Sequence, residues 1–246
     1  MQNFKLLLSY DGSRYKGWQR LGNTDQTIQG KLENVLSKMT GTTIEVIGSG
    51  RTDAGAHAAG QVANFHAETD MTPEEICTYL RHYLPEDIGV LSVSRVDDRF
   101  HSRFHAIKKT YVYRVWNSEQ PCVFDRKYVW PVTDQFDLCA MNRAAALFLG
   151  THDFRAFCSN KNFKKSSVRT IYRLSIDRVG QELRFTVAGD GFLYNMVRII
   201  VGTLLSVGRG ELTPDEIPAI LDQKNRELAG VTVPAKGLCL MEVEYQ

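Results

Sequence analysis

Long apolar runs are missing from the 246-residue sequence. None approaches the roughly 20 residues of a membrane-spanning helix, so a chain built around a bilayer is not expected. Cysteine is sparse. Cys77, Cys122, Cys139, Cys158 and Cys239 are odd in number and widely scattered, with no C-x-x-C pair. A disulfide framework and a cysteine zinc site are both excluded, and a reducing cytoplasm fits. Net charge is small, +2 from 30 Lys and Arg against 28 Asp and Glu, so the total points to no partner. The opening MQNFKLLLSYDGS has one lysine and soon turns polar, which reads as a first strand and not as a signal peptide. Apolar material is ample, at 43% hydrophobic, for one large domain or two small ones.

The charge that is present is unevenly placed. From Arg95 to Arg114 there are six Lys or Arg, two His and two Asp, and from Lys161 to Arg173 five Lys or Arg and no acid. Acids gather instead at ETDMTPEE and ELTPDEIPAILD. A basic face on a nearly neutral chain is the footprint of a polyanion, with an ordinary solvated surface as the alternative.

Periodicity gives the element order. Residues 3–9 read as a strand, and TIQGKLENVLSKM as a helix with Ile28, Leu32, Val35, Leu36 and Met39 on one face. TIEVI and QVANFH read as strands. TPEEICTYLRHYL opens on a capping box, Thr72 with Glu75, has Pro73 at the first helical position, and puts Ile76, Tyr79, Leu80 and Tyr83 on one face. IGVLSVSRV closes a βαββαβ unit. The second half repeats the order: strand AIKKTYVYRVW, helix FDLCAMNRAAALFL ended by Gly150, strands TIYRLSIDRV and ELRFTVAG around Gly180, helix LYNMVRIIVGTLLSV, a short helix TPDEIPAILDQ and strand GLCLMEVEY. The expected fold is therefore α+β, with two tandem βαββαβ, ferredoxin-like halves over residues 1–104 and 105–246. No low-complexity linker separates them, so their mostly antiparallel sheets are expected to join around a central cleft.

The most unusual stretch is IGSGRTDAGAHAAGQVANFH, where Gly48, Gly50, Gly55 and Gly60 surround Arg51 and Asp53. Gly50 and Gly55 have phosphate-loop spacing, but Ala56 and His57 stand where Lys and Ser or Thr are needed, and a strand follows instead of a helix. A metal site from His57, His66, His82, His101 and His105 is a weak reading, because an H-x-x-x-H pair without a carboxylate motif is seldom ligating. A plain turn with an Arg51–Asp53 surface ion pair is the alternative to beat. Elsewhere, KKTYVYRV puts Tyr111 and Tyr113 on one strand face, and Arg198 sits in an otherwise apolar helix. An arginine bordering a core calls for a carboxylate, for which Asp53 is a candidate.

SYDGSRYKGWQR, GSGRTDAGAHAAGQV, KKTYVYRV, LGTHDFRAFC, GDGFLYNMVRIIVGTLLSVG and PAKGLCLMEVEY together resemble the TruA family of tRNA pseudouridine synthases, in matching order over essentially the whole chain. Ala56, where the family usually has Val, and Cys239, where an aromatic is common, depart from the pattern without removing a reactive group. The resemblance implies that Asp53 is the catalytic nucleophile, that Arg198 is its basic partner, and that Tyr111 stacks on the target base and assists removal of the C5 proton. It implies that Leu240 closes the uracil pocket and that Arg51 takes the place of the flipped nucleotide. The implied reaction, at positions 38, 39 and 40 of the tRNA anticodon stem–loop, needs no cofactor and no metal. The implied partners are tRNA and a second copy of the chain in a cytoplasmic homodimer. Rival expectations are an idle tRNA-binding or folding protein and a synthase of this family with shifted target positions. A two-carboxylate glycosidase is disfavoured, since no second acid accompanies Asp53 in its loop.

Overall fold

Alternation decides the first strand of the computed structural model, which describes every residue except Phe163. In β1, Gln2–Tyr10, the side chains of Phe4, Leu6 and Leu8 are fully buried while Lys5 and Leu7 between them are only half-buried. The chain divides into two units, residues 1–107 with 239–246, and residues 108–238.

The first unit carries β1, α1 (Ile28–Thr40), β2 (Val46–Gly48), β3 (His57–Ala67), α2 (Pro73–Tyr83) and β4 (Ile88–Val96), the βαββαβ order read from the sequence. β1 lies between β4 and β3, antiparallel to both. The β1–β3 register sets Phe4, Leu6 and Leu8 opposite Phe65, Ala63 and Gln61. Thr27 caps α1 by accepting the Gly30 N–H, and Gly41 ends it in the left-handed region at φ 70°. The expected capping box of α2 is formed at both hydrogen bonds. Its buried face is Ile76, Cys77 and Leu80, whereas Tyr83, expected on that face, is 57% exposed and packs on Tyr79.

Two further strands differ from expectation. Of TIEVI only Val46 and Ile47 enter the three-residue β2; the N–H of Ile44 before it is taken by Ser37 Oγ of α1, and Val46 at its start donates to Glu33 Oε1. The terminal strand β10, Leu238–Tyr245, was expected to close the second half. From Cys239 onward it belongs to the first unit, running parallel to β3 with Cys239 opposite His57 and Leu240 opposite Ala58.

The second unit holds β5 (Ala106–Asn117), β6 (Trp130–Val132), α3 (Leu138–Ala146), β7 (Gly150–Asp153), β8 (Val168–Val179), β9 (Glu182–Gly189), α4 (Met196–Gly208) and α5 (Glu216–Gln223). The short strands β6 and β7 were not expected. The sheet runs β5, β9, β8, β7 in antiparallel pairs, with β6 parallel on β5. Tyr111, Tyr113 and Val115 stand opposite Val187, Phe185 and Leu183, and all six are buried. Each such aliphatic or phenylalanine side chain removed from water contributes about 1.5–3 kcal/mol. α3 is shorter than its apolar pattern at both ends: Asp137 caps its start, accepting the Ala140 N–H at 2.9 Å, and past Ala146 the N–H groups of Leu147, Phe148 and Leu149 turn to carbonyls three residues back.

Every residue of α4 except Arg198 is buried. The segment after α5 crosses this helix at Gly202, where an added Cβ would stand 1.9 Å from the Val231 carbonyl oxygen. That close crossing, fixed by Gly230 N–H donating to Thr203 Oγ1 at 2.8 Å, brings residues 231–234 alongside the start of α4.

Candidate active site

The loop between β2 and β3 is held from inside by polar groups that its sequence does not advertise. Thr52 is 7% exposed and its Oγ1 lies 2.8 Å from the Tyr10 hydroxyl. Gln61, fully buried on β3, donates through Nε2 to that hydroxyl and to the Gly50 carbonyl, and accepts from Ser49 Oγ at 2.6 Å. Burial pushes the Tyr10 hydroxyl well above its ordinary pKa, so it stays a neutral donor. The Thr52 carbonyl accepts the Trp18 N–H at 3.1 Å, and the Asp53 carbonyl the Ala56 N–H at 3.1 Å. On either side of the buried Thr52, Arg51 is exposed and Asp53 half-buried.

Close backbone approach sets the far end of the loop. Gly12, in the turn after β1, lies against Ala56 so tightly that a Cβ there would meet the Ala56 oxygen at 1.9 Å. Gly12 N–H also donates to His57 Nδ1 at 3.1 Å, so this imidazole is engaged in holding the loop. Leu240, fully buried on β10, stands beside Ala58, two residues beyond the loop. The two family departures fall here as well, Ala56 buried and Cys239 half-buried opposite His57.

Tyr111 and Arg198 lie in the second unit. Tyr111 is 8% exposed and meets the Phe192 ring edge-to-face at 5.2 Å between centroids. Arg198 Nε donates to the Val233 carbonyl at 2.7 Å and Nη1 to Asn195 Oδ1 at 2.8 Å. Asn195 is itself in the left-handed region, φ 63°, at the N-terminal cap of α4, and donates to Ser159 Oγ. Such a conformation is uncommon for a residue with a side chain; here it coincides with the hold on Arg198. Asn195, Val233 and Phe192 were not singled out from sequence. Arg51, Asp53 and Leu240 thus share the first unit, Tyr111 and Arg198 the second.

Other sequence candidates have structural uses. His101 Nδ1 accepts the N–H groups of Arg103 and Phe104, and His105 Nδ1 that of His101. No group of three His, Cys, Asp or Glu among the described residues is placed to hold a metal ion. Arg114, counted in a basic run, is paired with Glu182 and Asp125. Arg95, Arg99 and Arg103 are exposed, as are Lys161, Lys164, Lys165 and Arg173; Phe163 within that second run lies outside the described residues.

A family model described as tRNA pseudouridine synthase matches residues 7–105 and 144–246. The chain belongs to the tRNA pseudouridine synthase family. It is an isomerase of that class. A tRNA pseudouridine synthase A from Bacillus sp. (strain KSM-64) is 50% identical over 245 residues, covering 100% of both chains. The protein of the same name from Acetivibrio thermocellus is 45% identical, and tRNA pseudouridine synthase A 1 of Clostridium tetani 46%, each again over 100% of both chains. Arg51, Asp53, Arg198 and Leu240 lie within the matched segments, and Tyr111 between them. No helix among the described residues is long and apolar enough to cross a membrane.

The inner clamp of the synthase loop gives a first prediction. Thr52→Val keeps shape but takes from the buried Tyr10 hydroxyl its partner at 2.8 Å, leaving it only the Gln61 amide, which costs about 1–3 kcal/mol. The double variant Tyr10→Phe with Thr52→Val removes both hydroxyls of that pair and should recover part of that loss, since Gln61 Nε2 loses its contact with Tyr10 but keeps the Gly50 carbonyl. Urea midpoints of the two variants and the wild type check this; Thr52→Val as stable as wild type would refute it.

Proposed function

We propose that this chain isomerises uridine to pseudouridine at positions 38, 39 and 40 in the anticodon stem–loop of tRNA, working in the cytoplasm as a homodimer. The single observation that carries the reading is the loop that sets exposed Arg51 and half-buried Asp53 on either side of the inward-tied Thr52. In the isomerisation the N1–C1′ bond breaks, the uracil turns, and C5 bonds to C1′. The C5 proton is lost and N1 gains one, so no redox step occurs and no cofactor is required.

Asp53 meets the ribose as the nucleophile, a task for an ionised carboxylate. Arg198, steadied by Val233 and Asn195, supplies the basic partner that favours the charged carboxylate. Tyr111, steadied by Phe192, stacks on the target base and assists at C5. Leu240 closes the uracil pocket. Arg51 fills the space of the nucleotide drawn out of the stack, contacting phosphate with a planar fork of donors. Exposed basic residues on both units engage the backbone, which suits recognition of tRNA by shape.

Mapping pseudouridine in a mixture of unmodified tRNAs after incubation with the purified protein tests the reading. Modification confined to positions 38, 39 and 40 is expected, and modification elsewhere in the tRNA would refute the assignment of target. The same yield is expected after dialysis of the enzyme against EDTA, with the tRNA folded separately. Loss of activity that zinc alone restores would overturn the metal-free mechanism and return attention to His101 and His105.

A further inference from the structure

Residues 97–105, between β4 and β5, form a turn that is exposed yet firmly tied. Ser102 at its centre is fully buried. Its N–H donates to Asn64 Oδ1 at 2.9 Å, its hydroxyl to the Ile47 carbonyl at 2.5 Å, and its carbonyl accepts from the Tyr245 hydroxyl at 2.6 Å. Asn3 Nδ2 adds donations to the carbonyls of Asp97 and Phe100. Ile47 belongs to β2, the strand that runs directly into Arg51 and Asp53. The turn and the loop therefore share one anchor.

On this anchored turn sits an aromatic pair. Phe104 is 74% exposed, and its ring lies over the His101 imidazole at 4.1 Å between centroids, tilted by 31°. His101 Nδ1 accepts two backbone N–H groups and so carries no proton. Burial also holds the His101 pKa below its ordinary value, with Arg103 and His105 acting in the same direction. One face of the phenyl ring thus rests on a neutral, fixed ring while the other faces water. The same turn carries exposed Arg99 and Arg103 together with exposed Asp97 and Asp98, and Asp97 Oδ1 accepts the Arg99 N–H at 2.8 Å. A large apolar ring kept in water on a rigid support, with an arginine next to it in sequence, suits a ligand that offers a flat face.

We propose that Phe104, backed by His101, is a stacking platform for an unpaired base of the RNA, a positioning site that fixes the nucleic acid relative to the Arg51–Asp53 loop. This rests on the tRNA reading above. Base stacking on an aromatic side chain is tolerant of sequence, because every base offers a π face, and the arginine next to it in sequence takes a phosphate.

The test is single-turnover pseudouridine formation on full-length tRNA, titrated with enzyme. Phe104→Ala should raise the half-saturating concentration about tenfold and leave the limiting rate within about twofold. Phe104→Trp should restore affinity, whereas Phe104→Leu, apolar but not flat, should not. RNA hairpins of the anticodon stem–loop, each with 2-aminopurine at one loop position, supply a direct readout. Wild type should quench one of them, and Phe104→Leu should leave it bright. Wild-type affinity in Phe104→Ala, or full rescue by Phe104→Leu, would overturn the platform alone. Loss of self-association with RNA affinity unchanged would also overturn it, seating a second copy there. Wild-type enzyme inactive on tRNA would instead overturn the functional reading, and the platform with it.

Discussion

Asp53→Asn should abolish pseudouridine formation while the protein folds and binds tRNA as before. The two halves of this expectation have separate physical grounds. The side chain is half-buried at the edge of the loop, and the hydrogen bond that shapes the loop here runs from Ala56 N–H to the backbone carbonyl of Asp53. An amide in place of the carboxylate leaves that bond and the Tyr10–Thr52 clamp intact. Phosphate contacts supply most of the affinity for nucleic acid, and a neutralised carboxylate does not weaken them. The chemical step is different. An amide is neither a nucleophile toward C1′ nor a base, so the loss should exceed about 10⁴-fold, the upper range for a single proton-transferring group. Rapid-quench measurement of pseudouridine on tRNA, beside filter binding of the same protein, checks both halves. Turnover near wild type in Asp53→Asn and in Asp53→Ala would remove Asp53 from the centre of the mechanism.

How much of this was legible in the sequence depends on the range of the forces involved. Local signals read well. The alternation of β1, the capping box of α2 and the apolar run of α4 are each decided within one element, and each formed where expected. The failures are cases where a distant group intervened. β2 starts late, after Ile44, whose backbone donor is claimed by Ser37 of α1. From Cys239 onward β10 groups with the first unit, where it runs parallel to β3, about 180 residues earlier, and neighbourhood in sequence says nothing of such pairing. Tyr83 looks apolar to a periodicity argument, yet a tyrosine at the end of a helix can leave its ring in water.

The site divides along the same line. Arg51 and Asp53 stood out because charged groups are rare in so glycine-rich a stretch, and one recognised pattern gave them roles. What orients them did not stand out. Tyr10 and Gln61 lie 42 residues from Thr52 and 51 from Tyr10 respectively, and each resembles an ordinary strand residue until the strands are paired. Arg114 was misjudged for the converse reason: its charge was visible, but its partners Glu182 and Asp125 arrive only with the fold. Sequence therefore names reactive groups more readily than it names their supports.

Gly12 is the support whose substitution should be most damaging. Its φ lies outside the left-handed region, so alanine suits its backbone and any effect comes from contact alone. The added methyl would meet the Ala56 oxygen at 1.9 Å and the Ala56 carbonyl carbon at 2.7 Å. Both are main-chain atoms, which cannot rotate away as a side chain can. Either the turn after β1 moves, breaking Gly12 N–H to His57 Nδ1 and Tyr15 N–H to the Gly12 carbonyl, or Ala56 moves and takes the end of the Asp53 loop with it. Overpacking of this kind costs about 1–3 kcal/mol or more, and an ångström of misplacement at a reacting group can cost about 100-fold in rate. Gly12→Ala should therefore lower the urea midpoint and, in the fraction that remains folded, lower kcat by about that factor. Gly22→Ala is the control, since nothing lies within 4 Å of the position a Cβ would take there. It should match wild type in both measurements. Wild-type kcat in folded Gly12→Ala would show that the loop does not depend on this contact, and the placement of Asp53 would then need another explanation.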